Sequence, residues 1–138
     1  MEVKRITETD REFAMQVDGR LTETAFRSRV YAGEGYVLWE NSARVGLMEH
    51  CILWGKLPFL NLLHVTEPYR MRGFARAAVA AWEADMRAQG YRMALISTQA
   101  DETAQHLYRK LGYVDCGGLV FCGTPFDQPL ELFLRKVL

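Results

Sequence analysis

The stretch that decides the fold of this chain is Arg70-Met71-Arg72-Gly73-Phe74-Ala75-Arg76. An apolar run precedes it at 59–65 and has the composition of a β-strand. A helical pattern follows it at 74–89, where apolar residues recur every three or four positions. The stretch is therefore predicted to be a tight turn that joins a strand to a helix.

The chemistry of this turn favours an anionic ligand. The first N–H groups of a helix lack backbone partners and carry partial positive charge, so a phosphate placed there meets several donors at once. Gly73 has no Cβ and lets a ligand approach the backbone closely. Positive charge around the same position comes from Arg70, Arg72 and Arg76. The alternative is an ordinary turn with solvated arginines.

Two common nucleotide motifs are absent from the turn. It has neither the dinucleotide pattern G-x-G-x-x-G nor the phosphate loop G-x-x-x-x-G-K-[ST]. Nicotinamide cofactors and nucleoside triphosphates are therefore disfavoured.

Length and charge narrow the class of protein. The chain has 138 residues, enough for a single domain over 1–138, and its 49% hydrophobic and 25% charged residues are typical of a soluble globular protein. Its 17 basic residues balance 17 acidic ones, so the formal net charge is zero. Proteins that bind nucleic acid by bulk electrostatics are usually basic, and we therefore expect no nucleic-acid partner.

The cysteines and the N-terminal residues favour a cytoplasmic location. Cys51, Cys116 and Cys122 are odd in number and have no metal-ligand spacing, so neither a disulfide framework nor a metal site is expected. No run approaches the roughly 18 apolar residues of a membrane span. The first residues also lack the apolar segment of a signal peptide. We expect no membrane association.

The first half of the chain is predicted to hold two helices and four strands. The helices are predicted at Asp10–Val17 and Thr22–Tyr31, and Thr22 has the side chain of an N-cap. The strands are predicted at Val3–Ile6, Tyr36–Trp39, Val45–Leu53 and Pro58–Val65.

The second half has clearer helices, predicted at Phe74–Gln89 and Asp101–Leu111 and each followed by a glycine, Gly90 or Gly112. One face of the first helix is apolar, with Ala75, Val79, Trp82 and Met86. The opposite face is polar, with Arg76, Glu83 and Arg87.

A strand is predicted at Arg92–Ser97, and three further segments are strand candidates, with a loop at Gly123–Pro129; the candidates are Tyr113–Asp115, Leu119–Cys122 and Leu130–Val137. The order of elements is then roughly βααβββαβαββ. This order is typical of an α/β (α+β) domain in which about four helices flank a mixed, mostly antiparallel sheet.

Two linked motifs between Leu62 and Tyr113 resemble those of the GNAT superfamily of N-acetyltransferases. The first is an apolar strand followed by x-x-P-x-[QR]-x-x-G-x-[GA], whose key positions here are Arg70, Gly73 and Ala75. The second is N-x-x-A-x-x-[LF]-Y-x-K-x-G-F, whose positions are occupied here by Asp101, Ala104, Tyr108, Lys110, Gly112 and Tyr113. Asp101 departs from the family asparagine, and Ala75 is the alternative to its second glycine.

The resemblance implies acetyl-CoA as the acyl donor and a V-shaped splay between two parallel strands. It implies that the diphosphate binds the backbone amides of Met71, Arg72, Gly73, Phe74, Ala75 and Arg76. Leu63, His64 and Val65, at the end of the preceding strand, would pair with the pantetheine arm as a further strand. Asp101 would contact the cofactor from the second motif.

The resemblance also implies how the acetyl group moves. A backbone N–H near Val65 would polarise the carbonyl, and Tyr108 would donate a proton to the sulfur. A phenol with a pKa of about 10 is protonated at pH 7, so it can donate. Tyr108 also lies on an apolar helical stripe, and the alternative is that it only packs.

The group that accepts the amine proton is less defined. Glu49 and His50 are adjacent in a strand, so alternation sends them to opposite faces, and at least one is expected on a largely apolar face. A buried carboxyl or imidazole has a perturbed pKa, which suits a base. We place Glu49 first. His50, His64, Glu67 or a water molecule are the alternatives, and both strand residues could also be simply solvated.

The acceptor surface is expected on 22–39 and on the loop 123–129. These segments and their surroundings carry aromatic residues that could hold the acceptor but are mostly expected in the core, namely Phe26, Tyr31, Tyr36, Trp39, Trp54 and Phe126. The function expected is transfer of an acetyl group to a primary amine of a small molecule or a protein, by an enzyme that could form homodimers. The alternative is a non-catalytic module that binds acyl-CoA.

Overall fold

The computed structural model describes residues 1–138. The helices are α1 (Arg11–Val17), α2 (Glu23–Ala32), α3 (Phe74–Ala88) and α4 (Ala104–Lys110). The strands are β1 (Glu2–Arg5), β2 (Gly35–Glu40), β3 (Ala43–Leu53), β4 (Leu57–Val65), β5 (Met93–Gln99), β6 (Val114–Leu119) and β7 (Glu131–Val137). Short 3-10 turns occur at Glu8–Asp10 and Glu67–Tyr69. The predicted order of helices and strands is confirmed.

The strands form a mixed sheet of seven strands in the order β1-β2-β3-β4-β5-β7-β6. The pairs β1–β2, β2–β3, β5–β7 and β6–β7 are antiparallel. Strands β4 and β5 pair in parallel at two positions, Phe59 with Leu95 and Leu60 with Ile96. The predicted fold class, a mostly antiparallel sheet with one splayed parallel pair, agrees with this topology.

The chain divides into two compact units, each with its own buried side chains. The first unit comprises Met1–Cys51 and Asn61–Trp82, and the second comprises Ile52–Leu60 and Glu83–Leu138. The core of the first unit is formed by Ile6, Ala14, Leu21, Phe26, Val37 and Leu47. In the second unit the most deeply buried apolar side chains include Met86, Ala94, Ile96 and Leu134. The expectation of a single domain stays a prediction.

Helix α2 begins as its sequence indicates. Thr22 is its N-cap, and the Thr22 hydroxyl accepts a hydrogen bond from the Ala25 amide at 3.1 Å. Gly33 then ends the helix in the left-handed conformation, with φ of 68°.

Helix α3 follows its predicted amphipathic pattern except at one residue. Val79, Trp82 and Met86 are fully or almost fully buried, as expected. Glu83 was predicted on the polar face, but it is only 5% exposed, so that prediction is wrong. The reason is a set of donors from distant parts of the chain, Tyr113 and Lys136, which compensate the buried carboxylate.

Three further sequence predictions need correction. The strand predicted at Leu119–Cys122 is absent, and one strand at 114–119 replaces it and its neighbour. Pairing with β7 overrides the low strand propensity of its two glycines, and a register shift after Asp115 accommodates them. Helix α4 begins at Ala104 rather than Asp101, since 101–103 form a turn.

Most aromatic residues of the expected acceptor surface were predicted in the core, but fewer of them are buried than predicted. Phe26 and Tyr36 are buried, whereas Tyr31, Trp54 and Phe126 are exposed. No helix of the structure is long and apolar enough to cross a membrane.

Candidate active site

The turn between β4 and α3 presents a row of backbone amides without backbone acceptors. The first hydrogen bond of α3 runs from the Ala77 amide to the Gly73 carbonyl at 3.1 Å. The amides of 71–76 lie before this bond and donate to no other backbone group. Such amides at the start of a 15-residue helix are suited to an anion.

Two residues of the turn adopt the left-handed conformation. Gly73 has φ of 85° and Met71 has φ of 58°. Glycine adopts this conformation without strain, whereas a residue with a Cβ is disfavoured there by about 1–2 kcal/mol. A Cβ placed on Gly73 would meet no atom within 4 Å, so the space beside the turn is open to a ligand. Gly73 is therefore needed both for the shape of the turn and for access to it.

Two arginines of the turn, Arg70 and Arg72, have protein partners. Arg70 Nε donates to the Val65 carbonyl at 2.9 Å and so ties the turn to the end of β4. The Arg72 guanidinium lies over the rings of Tyr69 and Phe74, at 5.3 and 5.4 Å from the ring centroids. Arg76 is exposed on the first turn of α3. Arg70 and Arg72 are thus more fixed than the sequence alone implies.

The end of β4 holds the other residues predicted to contact the cofactor in this unit. Leu63, His64 and Val65 are half-buried. Burial, and to a lesser extent the nearby Arg70 charge, lowers the pKa of His64. Its imidazole is therefore neutral at pH 7 and can accept a proton.

Glu49 is a fully buried carboxylate on β3. Its exposed fraction is 0%, and Arg29 Nε of α2 lies 3.0 Å from its Oε2 atom. The two groups are not aligned for a hydrogen bond, and neither carboxylate oxygen accepts one. Burial raises the pKa of Glu49, Arg29 partly opposes that increase, and Asp18 adds to it. A buried carboxylate whose charge is only partly compensated by a nearby cation occurs both at functional sites and in structural ion pairs.

His50 lies on the opposite face of β3 and is also buried. Its ring stacks on Tyr36 at 5.7 Å and approaches the Trp82 ring at 5.9 Å. Both Glu49 and His50 are therefore enclosed, in agreement with the expectation that at least one of them would be. Glu67, the remaining predicted alternative, is exposed in the short turn before Arg70.

Tyr108 lies in α4 of the second unit and is 6% exposed. Burial, with a smaller contribution from Glu102, raises the pKa of Tyr108 to about 12. The phenol is therefore protonated throughout the physiological range. Its ring packs edge-on against Tyr113, with 6.3 Å between ring centroids.

Asp101 belongs to the same unit but does not cap α4. It is exposed in the turn before the helix, and the N-cap position is occupied by Thr103. The helix starts at Ala104, three residues later than predicted, so Asp101 precedes it.

The structure thus brings the predicted residues together in two groups. In the first unit, Arg70 joins the turn at 70–76 to the end of β4, and Glu49 pairs with Arg29. In the second unit, Tyr108 and Asp101 lie in and just before α4. Sequence reasoning missed Arg29, Glu83 and Tyr113 as polar partners. No local pattern marks them, since each meets its partner across at least 20 residues of chain.

Comparison with known sequences identifies one family. The sequence profile of the acetyltransferase (GNAT) family matches residues 3–113. No curated protein sequence matches the chain.

Solved structures with a similar fold cover nearly the whole chain. Ribosomal-protein-alanine N-acetyltransferase from Brucella melitensis has a TM-score of 0.83 at 19% identity, with 100% of each chain covered. Arabidopsis thaliana Naa50, in complex with the bisubstrate analogue CoA-Ac-MVNAL, has a TM-score of 0.84 at 14% identity, covering 99% of this chain and 98% of that one. A GNAT family acetyltransferase from Elizabethkingia anophelis with acetyl-CoA bound has a TM-score of 0.79 at 15% identity, covering 99% and 97%.

Proposed function

Because the chain belongs to the acetyltransferase (GNAT) family, we propose that it transfers the acetyl group of acetyl-CoA to a primary amine of a small molecule or a protein. The observation that carries this proposal is the row of unpaired amides at 71–76, which suits the diphosphate of the donor. The family assignment favours an enzyme over the alternative, a module that only binds acyl-CoA.

The residues of the turn fit this donor. The amides of Met71, Arg72, Gly73, Phe74, Ala75 and Arg76 would hold the diphosphate. A cavity beside the turn is lined in part by Arg72, Gly73 and Phe74, and one wall of the turn is free of side chains at Gly73. Leu63, His64 and Val65 would pair with the amide-rich pantetheine arm, and Asp101 would contact the donor from the second motif.

When bound, acetyl-CoA supplies a thioester whose acetyl carbon is attacked by the neutral amine, so that a C–N bond forms, the C–S bond breaks and sulfur departs as a thiolate. A backbone N–H near Val65 stabilises the negative charge that develops on the carbonyl oxygen. Tyr108 Oη donates the proton that the departing thiolate takes up. Its raised pKa keeps it protonated, so a donor is present in every turnover.

We propose Glu49 as the acceptor of the amine proton. Burial raises the pKa of Glu49 toward neutral pH, and a general base is most effective when its pKa is close to the working pH. Because the carboxylate is fully buried, the proton reaches it through water. His64 is the first alternative, as its neutral imidazole is half-buried at the end of β4. His50, Glu67 and water alone remain further alternatives.

Two subsidiary expectations accompany this proposal, a cytoplasmic location and a homodimer. Exposed apolar residues near the C-terminal strands, among them Val120 and Phe126, would provide the contact for a second copy.

The experiment that tests the proposed function is the substitution Tyr108→Phe, which removes the proton donor and keeps the ring. We expect kcat with a screened amine acceptor to fall by roughly 10²-fold, the lower range of a general acid's contribution. The Kd for acetyl-CoA, measured by calorimetry, should stay within about threefold, because the diphosphate contacts are untouched.

The matched control is Tyr91→Phe, which makes the same change at a tyrosine outside the proposed site and should leave kcat unaltered. Unchanged turnover of Tyr108→Phe at saturating acceptor would exclude the proton-donor role. Binding of acetyl-CoA without consumption by any amine would instead support the non-catalytic alternative.

A further inference from the structure

A compensated carboxylate lies buried in the second unit. Glu83 of α3 is 5% exposed, and its Oε1 atom accepts a hydrogen bond from Tyr113 Oη at 3.0 Å. Lys136 of β7 donates to both of its oxygens, at 3.0 and 2.9 Å. Arg87 Nη2 lies 3.4 Å away on the next turn of α3. The Tyr113 hydroxyl is therefore held by a charged group that is itself fixed from two elements.

Tyr113 occupies a defined position at the end of α4. Its amide donates to the Tyr108 carbonyl at 3.0 Å, and the Gly112 amide donates to the Arg109 carbonyl at 3.0 Å. Gly112 has φ of 94°. This pair of bonds is the Schellman motif, in which the residue two beyond the cap commonly packs on the residue three before the helix end. Those two residues here are Tyr113 and Tyr108.

The contact with Tyr113 matters because α4 is short. It has seven residues, and an isolated helix shorter than about 12 residues is marginal in water. The Tyr108 ring therefore depends on packing for its position. Tyr113 supplies part of that packing through the edge-on ring contact, with 6.3 Å between centroids. Lys136 Nζ also lies 5.5 Å from the centroid of the Tyr113 ring.

We infer that Glu83 and Tyr113 are positioning residues, which act through the Tyr113 ring to hold the Tyr108 phenol where it donates its proton. The chain of contacts runs from the Glu83 carboxylate to Tyr113 Oη, and from the Tyr113 ring and amide to Tyr108. This inference rests on the proposed function, in which Tyr108 is the proton donor. It adds two residues that the family motif does not mark for this role.

The geometry distinguishes this role from packing alone. Phenylalanine at position 113 would fill the same space, so an aromatic core needs no hydroxyl there. The hydroxyl instead selects one orientation of the ring relative to α3 and β7, since its partner is a carboxylate fixed by Lys136. Small displacements of a catalytic group cost rate even where the fold is intact.

The test begins with Tyr113→Phe in the full chain. We expect kcat to fall by about tenfold, because the Tyr108 phenol loses its alignment. The KM for acetyl-CoA should stay within about twofold, because the acetyl-CoA site is untouched. The matched control is Tyr91→Phe. Tyr91 follows Gly90 at the end of α3 and donates its amide to the Met86 carbonyl at 3.0 Å, so it holds the same position in the same motif of another helix. This control should leave kcat and KM unchanged.

A double-mutant cycle then separates positioning from structure. In the Tyr108→Phe background there is no proton to position, so adding Tyr113→Phe should lower kcat by less than twofold. An equal loss in both backgrounds, or no loss of kcat from Tyr113→Phe alone, would overturn the inference. Failure of the proton-donor role has a different readout, since Tyr108→Phe by itself would then leave kcat unchanged. Failure of the proposed function would appear in the wild type, which would then consume acetyl-CoA with no amine.

Glu83 provides a second route should Tyr113→Phe fold poorly. Glu83→Gln keeps an oxygen that can accept from Tyr113 Oη, whereas Glu83→Leu removes it. We expect kcat per folded molecule to be several-fold higher for Glu83→Gln than for Glu83→Leu, each assayed at least 10 °C below its own melting temperature as a rough margin. Equal kcat values for the two variants would contradict the role of this hydrogen bond.

Discussion

Burial raises the pKa of Glu49. Its carboxylate has no exposed surface and accepts no hydrogen bond, and Arg29 compensates its charge only in part. The pKa of Glu49 is therefore raised above that of a glutamate in the unfolded chain. A group with this sign of shift binds its proton more tightly when folded, so it disfavours folding once the pH exceeds its unfolded pKa.

The first prediction at this scale concerns Glu49→Gln. Between the unfolded pKa of about 4.3 and the raised folded pKa, the folded state holds more protons than the unfolded state, so wild-type stability falls as pH rises. The variant lacks this loss, and its free energy of unfolding relative to wild type should therefore increase through that window and level off above it. Urea unfolding at pH 4 to 8 measures the difference. Glu12→Gln, which makes the same change at an exposed position, serves as the control.

The same variant reports on the proposed base. In wild type kcat/KM should rise with pH as the Glu49 carboxylate ionises, whereas Glu49→Gln should lose this limb and be roughly 10²-fold slower. If the rise of kcat/KM with pH persists in Glu49→Gln but is lost in His64→Gln, the base is His64 instead.

At the scale of the element, the turn before α3 depends on one backbone conformation. Gly73 has φ of 85°. This backbone conformation sets the directions of the six amides at 71–76 that precede the first helical hydrogen bond. Open space surrounds the position, so a methyl group would be strained by its backbone conformation and not by a clash.

We therefore predict that Gly73→Ala costs about 1 kcal/mol of stability and weakens acetyl-CoA binding by roughly tenfold, because the strained turn misdirects its amides. Urea unfolding and calorimetry measure the two effects. Gly19→Ala is the matched control, since Gly19 also lies in open space but lacks a positive φ, and it should change stability by less than about 0.5 kcal/mol. Unaltered affinity of Gly73→Ala would argue against the turn as the diphosphate site.

Elements with strong local signals were predictable, and those without were not. The cap at Thr22 and the glycines after α3 and α4 act on neighbouring backbone groups, so the sequence around them suffices to locate the helix ends. The bounds of β6 were predicted wrongly because its glycines are poor strand formers. Only the pairing with β7 makes 114–119 extended.

At the scale of the whole molecule, the proposed donor should act as a stabiliser. A ligand that binds only the folded state at 100 times its Kd adds about 2.7 kcal/mol. For a chain of this size we expect acetyl-CoA to raise the melting temperature by roughly 10 °C in a thermal scan. Pantetheine lacks the diphosphate and should raise it far less. An equal effect of the two compounds would contradict the role of the amides at 71–76.

The sequence by itself determined what depends on near neighbours along the chain. The order of helices and strands, the turn at 70–76 and the resemblance carried by Gly73 and Tyr108 all rest on patterns within a few residues of each other. Hydrophobic period, caps and turn glycines act over one or two turns of backbone, so such features can be predicted without the fold.

Only the tertiary structure decided which polar groups are buried together. Glu83 meets Tyr113 across 30 residues and Lys136 across 53, and Arg29 pairs with Glu49 across the connection between α2 and β3. The burial of a carboxylate depends on whether distant donors arrive to compensate its charge, and no local pattern records that. The physical reason is that desolvation and its compensation are properties of a three-dimensional neighbourhood, whereas caps and periodicity belong to the chain.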